Sequence, residues 1–294
     1  MDTYFRAIGI SNIEKGKKMD NLLGEVMTNY NFKSERYFNR REKFVEVSKV
    51  FSKNLGITVR GYYDNKNFFH IEHYFPFVVN DDISMKEEVY FSKKIDNVAY
   101  NCMCDDMRLG VALIFYLQNV ADYMSSYDSA KSETIAFPIA LSGLCISGKI
   151  LLPVQKNNDS IAKYNKRKKI KNNLLDEAKK GNQEAIDKIA INEIDTYEKI
   201  SKRTKIEDIY TIVENSFYPC GSEQDKYTML GTIKDYKIEV NSMTNEEVYL
   251  LFVECNEVLI KVSINKNDLL GIPMVGARFK GNIWLQGYVE FDDF

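Results

Sequence analysis

The sequence predicts an α+β protein in which an antiparallel sheet with a central buried helix is followed by a helical middle segment and a small C-terminal β-barrel. Strand-like runs separated by turn residues fill the first part of the chain. A basic, polar stretch begins near residue 156 and passes into apolar residues spaced at the helical period. About five strand-like runs follow residue 223. We therefore predict three domains, 1–155, 156–222 and 223–294, the last an OB-like or SH3-like barrel.

Composition excludes several classes of protein. Of the 294 residues, 45% are apolar, which is enough for a sizeable core, and the net charge of -2 argues against a global basic field for nucleic acid. No run resembles a signal peptide or a membrane span. The five cysteines are odd in number and scattered, which indicates reduced thiols. We expect a cytoplasmic protein with no membrane partner.

The first part of the chain alternates short strands with one early helix. We predict a strand at 4–10, a helix at 17–30 with one apolar face, and a meander of antiparallel strands at 44–51, 56–63 and 68–79. A further strand is expected at 88–95. Strands at 134–141 and 144–154 are expected to form a hairpin around Ser142 and Gly143.

The central helix is predicted at 107–124, where apolar residues circle most of a helix. Asp105 and Asp106 stand where a cap and a first-turn carboxylate belong. The same pair, with Arg108 beside it, could instead act as acid and base or hold Mg²⁺ through waters. We favour the capping interpretation because it explains these residues without a bound metal or a reaction.

The middle segment opens with a basic run. Six of the nine residues in 163–171 are basic, and such a run can neutralise phosphates. Lys166, Arg167, Lys168 and Lys169 are therefore candidate nucleic-acid contacts, although a solvated linker is the interpretation that we favour. Helical patterns follow at 174–178, 185–200 and 206–216, with Gly181 and Asn182 between the first two.

The C-terminal part carries the strongest composite signal. We predict strands at 227–240, 248–255, 258–264 and 278–291, with a helical turn at 267–270. Aromatic and cationic side chains on one face of a barrel bind single-stranded nucleic acid by stacking and phosphate pairing. A peptide or another domain could occupy the same face, and Trp284 could instead be a core residue. The candidate binding residues are Arg278, Lys280, Trp284, Gln286 and Tyr288.

Other constellations carry weaker signals. His70 and His73 with Glu72 could hold a metal, but residues three apart point to opposite faces of a strand. Cys102 and Cys104 could bind zinc or copper as thiolates, yet core packing is the better explanation. No phosphate loop, nucleophile elbow or metalloprotease motif is present in the sequence. We therefore name no catalytic residue, metal or cofactor.

Several stretches together resemble a protein family of clostridial-type Gram-positive bacteria that is catalogued only as a domain of unknown function. The likeness runs through the chain in order and is carried by 4–9, 108–119, Cys255-Asn256, Ile264-Asn265, Asp268-Leu269 and 276–287. The resemblance implies a compact cytosolic protein of this length. It supplies no activity, ligand or catalytic residue.

Three functions stay open at this point. The first is a non-enzymatic protein-binding or scaffold module, favoured over nucleic-acid binding because the net charge is slightly negative. The second is single-stranded nucleic-acid binding through the barrel and the basic run. The third is a metal-dependent hydrolase that uses carboxylates near Asp105. An enzyme should show a deep pocket with convergent titratable groups, and a binding module should show an exposed patch instead.

Overall fold

The computed structural model describes residues 2–12, 16–37, 43–64, 66, 68–95, 98–106, 108–109, 111–127, 136–153, 158–203, 210 and 213–291. The chain divides into two compact units, and their bounds differ from the three domains expected from sequence. The larger unit joins Met1–Leu151 to Phe217–Phe294, and the smaller is Leu152–Ser216. The C-terminal strands thus share a unit with the first part of the chain.

Strands dominate the larger unit. The helices are a 3-10 helix at Asp2–Ile8, α1 (Lys17–Thr28), α2 (Val120–Tyr127), α3 (Asn158–Lys179), α4 (Gln183–Arg203) and a 3-10 turn at Lys266–Asp268. The strands are β1 (Phe32–Tyr37), β2 (Lys43–Val50), β3 (Leu55–Tyr63), β4 (Phe69–Val78), β5 (Met85–Glu88), β6 (Tyr90–Ile95), β7 (Ala99–Asp106), β8 (Val111–Leu117), β9 (Ala136–Leu151), β10 (Ser216–Pro219), β11 (Lys226–Val240), β12 (Glu247–Cys255), β13 (Val258–Asn265), β14 (Leu269–Leu270) and β15 (Arg278–Val289).

The smaller sheet, which we call sheet A, confirms the predicted meander. Its order is β1-β2-β3-β4, and every pairing is antiparallel. Helix α1 contacts β2 and β3, and its four buried residues lie at the spacing of one helix face. They are Met19, Leu22, Leu23 and Val26. The apolar period therefore predicted both the helix and the strands that it contacts.

The larger sheet, sheet B, combines strands from both ends of the chain. Its order is β10-β11-β12-β13-β9-β15-β8-β7-β6, and β15 also pairs with β11. Strand β9 lies between β13, which it meets in parallel, and β15, which it meets antiparallel. The predicted barrel of residues 223–294 is not confirmed as a closed unit, because β9 and β8 from the first part of the chain pair with its strands.

Three predicted elements of the first part are wrong. The apolar run that predicted the central helix at 107–124 forms strand β8 and the short helix α2. A strand buried on both faces loses its alternation, so periodicity alone cannot separate it from a buried helix. The strand predicted at 4–10 is a 3-10 helix, and the predicted hairpin around Ser142 is one continuous strand, β9.

The smaller unit is a helical hairpin. Gly181 adopts a φ of 82° after α3, and its N–H bonds to the carbonyl of Ala178, as the predicted stop at this glycine requires. Leu175, Ala178 and Ala185 are the buried apolar side chains at this end of the hairpin. Most of the helix predicted at 206–216 lies outside the described residues. None of the described helices combines the length and apolar character needed to cross a bilayer.

Candidate functional site

The C-terminal residues predicted to form a binding face are mostly interior. Trp284 is 1% exposed, Gln286 is fully buried and Arg278 is 6% exposed, whereas Lys280 is half-buried and Tyr288 is exposed. Strand β15 lies inside sheet B, where β9 pairs along its length, β11 pairs with its first half and β8 pairs with Gln286 and Gly287. Its buried face packs against other elements, as Trp284 does against Tyr4. The aromatic and cationic residues therefore do not form one exposed stacking surface. This corrects the sequence-based expectation.

Trp284 lies in an aromatic row instead. Its ring centroid lies 5.4 Å from that of Tyr4 and 5.2 Å from that of Tyr116, in tilted contacts. The core alternative for Trp284 is the one that the structure adopts. Gln286 is equally internal, because its amide donates to the Pro76 carbonyl and accepts from the Gln118 amide, each at 2.9 Å.

The basic run lies on helix α3 and not on an extended linker. Lys166 and Lys169 are exposed, while the side chains of Arg167 and Lys168 lie outside the described part of the structure. The run belongs to the helical unit, whereas β15 belongs to the strand-rich unit.

The residues of the weaker candidate sites lie apart from one another or already pair with other side chains. His70 is exposed and contacts Asp64, whereas His73 is buried, so the two histidines do not share a site. Asp106 is buried and pairs with Arg108 from the end of β7, which replaces the predicted helix cap. Among the described residues no group of three or more His, Cys, Asp or Glu is placed to hold a metal ion.

The two cysteines that could have bound a metal lie in the core. Cys102 and Cys104 are both buried on β7. Burial raises the pKa of the Cys102 thiol well above its usual value and that of Cys104 to about 12. The thiol of Cys104 lies 3.9 Å from the sulfur of Met85. Both therefore pack as neutral, apolar side chains.

Sequence reasoning missed an exposed apolar loop between β14 and β15. It starts at Leu270, the last residue of β14, and runs through Gly271 to Gly276. We call its four exposed residues the aliphatic loop: Leu270 (74% exposed), Ile272 (75%), Met274 (51%) and Val275 (64%). Most soluble surfaces scatter such residues singly, so four within six positions stand out. The signal was present in the sequence as an apolar run between two glycines.

The backbone of the aliphatic loop is fixed at both ends. Leu270 is the register partner of Lys149 on β9. Gly271 has a φ of 95° and passes against Ile150, where a Cβ would meet the Ile150 side chain at 3.1 Å. At the other end, the Gly276 N–H donates to the Ile233 carbonyl at 2.8 Å and the Ala277 N–H to the Met274 carbonyl at 3.1 Å. The apolar side chains therefore project from an ordered turn.

Charged groups are instead buried where sheet A meets sheet B. Arg60 on β3 is fully buried, and its Nε donates to Glu46 at 2.6 Å. Its Nη1 donates to the Tyr116 hydroxyl at 2.8 Å. The remaining N–H groups donate to three backbone carbonyls, those of Val98, Leu117 and Gln118. Burial raises the pKa of Glu46 although the Arg60 guanidinium acts to lower it.

A second buried charge lies near Tyr116. Asp225 is fully buried, and its Oδ2 accepts from Lys94 Nζ at 2.5 Å and from Trp284 Nε1 at 3.1 Å. The Lys94 ammonium also lies 5.9 Å from the centroid of the Tyr116 ring. One aromatic face and one carboxylate thus lie against this ammonium group.

Several buried polar atoms around Tyr116 have no hydrogen-bond partner in the described structure. They are Oδ1 of Asp225, Nε2 of His73 and Oδ1 of Asn101. The His73 and Tyr116 rings lie 5.9 Å apart, and Asn101 is the register partner of Tyr116 on β7. Burial, and then the charges of Arg60 and Lys94, lowers the pKa of His73 to about 3, so the imidazole is neutral.

A depression lies beside α1, and a carboxylate in its wall already has hydrogen-bond partners. It has a volume of about 400 Å³, opens to solvent, and is lined in part by Ile10, Leu22 and Glu246. The carboxylate of Glu246 already accepts from the Ser11 hydroxyl at 2.7 Å and from the Asn265 amide at 2.6 Å. The aliphatic loop exposes apolar side chains, and the Lys94–Asp225 pair contains a buried carboxylate oxygen that has no hydrogen-bond partner among the described residues.

Comparison with known proteins places the chain in a family without assigning an activity. No curated protein and no solved structure matches the sequence. One family matches residues 5–287, which is nearly the whole chain, and it is described as a domain of unknown function from an E. rectale gene, DUF3881. The chain belongs to the DUF3881 family, as its resemblance to an uncharacterised clostridial-type family predicted.

Proposed function

We propose that this protein is a non-enzymatic protein-binding module and that the aliphatic loop is its contact surface. The observation that carries the proposal is the exposure of four aliphatic side chains, each at least 51% exposed, within Leu270–Val275. Burying one such side chain contributes about 1.5–3 kcal/mol, so four of them can drive a stable association.

Order in the loop supports this proposal. Side chains on a flexible loop lose conformational entropy on docking, and that loss reduces affinity. Here β14 pairs with β9, and the Ile233 carbonyl holds the other end of the loop. Pro273 adds a residue whose φ is fixed before binding. Folding therefore already fixes the loop backbone, so docking should lose little further conformational entropy there.

The charges beside the loop indicate the chemistry of the partner. Lys149 is the register partner of both Leu270 and Lys280, which places two lysines on the sheet next to the aliphatic loop. A matching surface therefore has an apolar groove for the loop and carboxylates along its rim. We assign the partner to proteins with such an acidic-rimmed groove.

Photocrosslinking from the loop tests this proposal directly. A photoreactive amino acid in place of Ile272 should give a discrete protein adduct in cells, unchanged by nuclease treatment. The same group in place of Ile83, which is 45% exposed elsewhere, should not. Val275→Asp should remove the adduct, because a carboxylate in an apolar groove is costly to bury.

Two results would overturn the proposal. Equal adducts from positions 272 and 83 would mean that the loop captures neighbours without specificity. Adducts that vanish with nuclease would favour nucleic-acid binding instead. Melting temperatures of the variants should match that of the unmodified protein, which separates loss of binding from loss of folding.

A further inference from the structure

The Lys94–Asp225 pair resembles a recognition site whose ligand is part of the chain. Lys94 projects from β6, at the end of sheet B, and its Nζ lies 2.5 Å from Asp225 Oδ2. The Tyr116 ring faces this ammonium at 5.9 Å. A buried carboxylate beside aromatic faces is the environment that proteins use to bind ammonium groups.

The carboxylate is positioned before any ammonium reaches it. Trp284 Nε1 donates to Asp225 Oδ2 at 3.1 Å, and the Asp225 backbone carbonyl accepts from the Leu285 N–H at 2.8 Å. Trp284 is held in turn between the rings of Tyr4 and Tyr116. The oxygen that Lys94 contacts is therefore fixed by the core.

The other oxygen of the same carboxylate is unsatisfied. Asp225 Oδ1 is buried and has no hydrogen-bond partner among the described residues. Leaving a buried acceptor unpaired costs about 1–3 kcal/mol, and more when the group is charged. Of the ammonium's three N–H groups, Lys94 places one on Oδ2 and none on Oδ1. Oδ1 is thus available to a further donor.

Lys94 also has a second carboxylate within reach, that of Glu223. Its side chain is 21% exposed, and Glu223, whose side chain is 43% exposed, lies 3.8 Å from its Nζ. Lys226 pairs with the same glutamate at 2.8 Å. Rotation of Lys94 toward solvent would therefore exchange a buried ion pair for an exposed one.

We propose that Asp225, Tyr116 and Trp284 form a binding site for a small primary alkylammonium ion, which displaces the Lys94 side chain toward Glu223. An ammonium ion that is not tethered to β6 can donate to both oxygens of Asp225 while its charge faces the Tyr116 ring. The incoming charge replaces that of Lys94, so the site stays neutral. This site is separate from the aliphatic loop and does not depend on it.

Trp284 makes the site measurable because it is the only tryptophan in the chain. Its indole N–H gives a single NMR signal from the group that touches Asp225. In the unmodified protein, n-propylammonium should shift this signal in a saturable way. Tetramethylammonium at equal ionic strength has no N–H to donate and should leave it in place. A shift of equal size with both ions, or no saturable shift with n-propylammonium, would overturn the proposal.

Lys94→Ala provides the second arm. The substitution removes three carbons and the ammonium group, which together correspond to n-propylammonium. We expect the folded variant to bind this ion at least about tenfold more tightly than the unmodified protein, because no resident ammonium competes. Adding Asp225→Asn should abolish the gain. Equal affinities in a folded Lys94→Ala protein would show that Lys94 does not occupy the site and would overturn the proposal.

Discussion

The aliphatic loop and the interface between sheets A and B exchange the usual places of apolar and charged residues. The loop exposes Leu270 and Ile272, whereas the interface buries Arg60 completely and Asp225 is buried beside Trp284. The loop needs no partner to fold, because its backbone bonds to β9 and to Ile233. The buried charges are stable only through specific partners. The loop therefore offers apolar side chains to a partner, whereas the interface depends on its internal ion pair. Substitutions should change stability strongly at the interface and little at the loop.

The largest effect is expected from Arg60→Met. The change leaves Glu46 buried without its guanidinium and removes the donors from three backbone carbonyls. Breaking one side of a buried ion pair destabilises a protein by about 3–5 kcal/mol. Urea denaturation followed by circular dichroism measures the loss.

Arg36→Met is the matched control, because Arg36 is an exposed arginine in the same sheet. We expect that change to cost less than about 1 kcal/mol. Equal losses in the two variants would mean that the Arg60 interactions contribute nothing beyond those of a surface arginine.

An intermediate effect is expected from acid. His73 is neutral in the fold, with a pKa of about 3 against an ordinary value of 6.5. Below pH 6.5 His73 binds a proton in the unfolded chain but not in the folded one. The free energy of unfolding therefore falls as the pH drops toward 3. The slope from this residue approaches about 1.4 kcal/mol per pH unit.

Unfolding free energies measured between pH 7 and pH 4 should show this slope, and His73→Phe should flatten it. The phenyl ring can keep the contacts with Phe75 and Tyr116. His70→Gln is the control at the only other histidine in the chain, an exposed one. A slope that survives His73→Phe would assign it to other groups.

The smallest effect on stability is expected at the aliphatic loop. Ile272→Ser and Val275→Ser should each change the free energy of unfolding by less than about 0.5 kcal/mol, since both side chains are exposed. Urea denaturation followed by circular dichroism measures both values. A stability loss comparable to that of Arg60→Met would show that the loop side chains pack in solution.

Strand and helix patterns predicted most elements of the larger unit, including β3, β12 and β13, whose residues are mostly buried, and failed at β8. Strands β2, β3, β4, β11, β12 and β13, and helix α1, lie close to the predicted ranges. Strand β8 was mistaken for a helix because Leu113, Phe115 and Tyr116 are all buried. The elements that pack against a strand determine whether each of its faces is exposed to solvent, and those elements are distant in sequence.

The candidate sites were hidden for the same reason. Trp284 and Gln286 looked like a binding face because the residues that contact their side chains, Tyr4, Tyr116 and Pro76, come far earlier in the chain. Asp225 and Lys94 lie on different strands and meet only in the folded sheet. The aliphatic loop needed no distant partner, and its apolar run between glycines could have been read from the sequence.

The position of β9 between β13 and β15 sets an order of events during synthesis. Strand β9 leaves the ribosome after its short partner β5 but before the helical hairpin, and its partners β13, β14 and β15 follow only after residue 257. Pairings between segments so far apart in sequence form slowly. Until they form, a nascent chain holds a 16-residue strand that has only β5 among its final neighbours. The hairpin of α3 and α4 can fold in that interval from local contacts alone, so the chain gains its helices before it can complete its larger sheet.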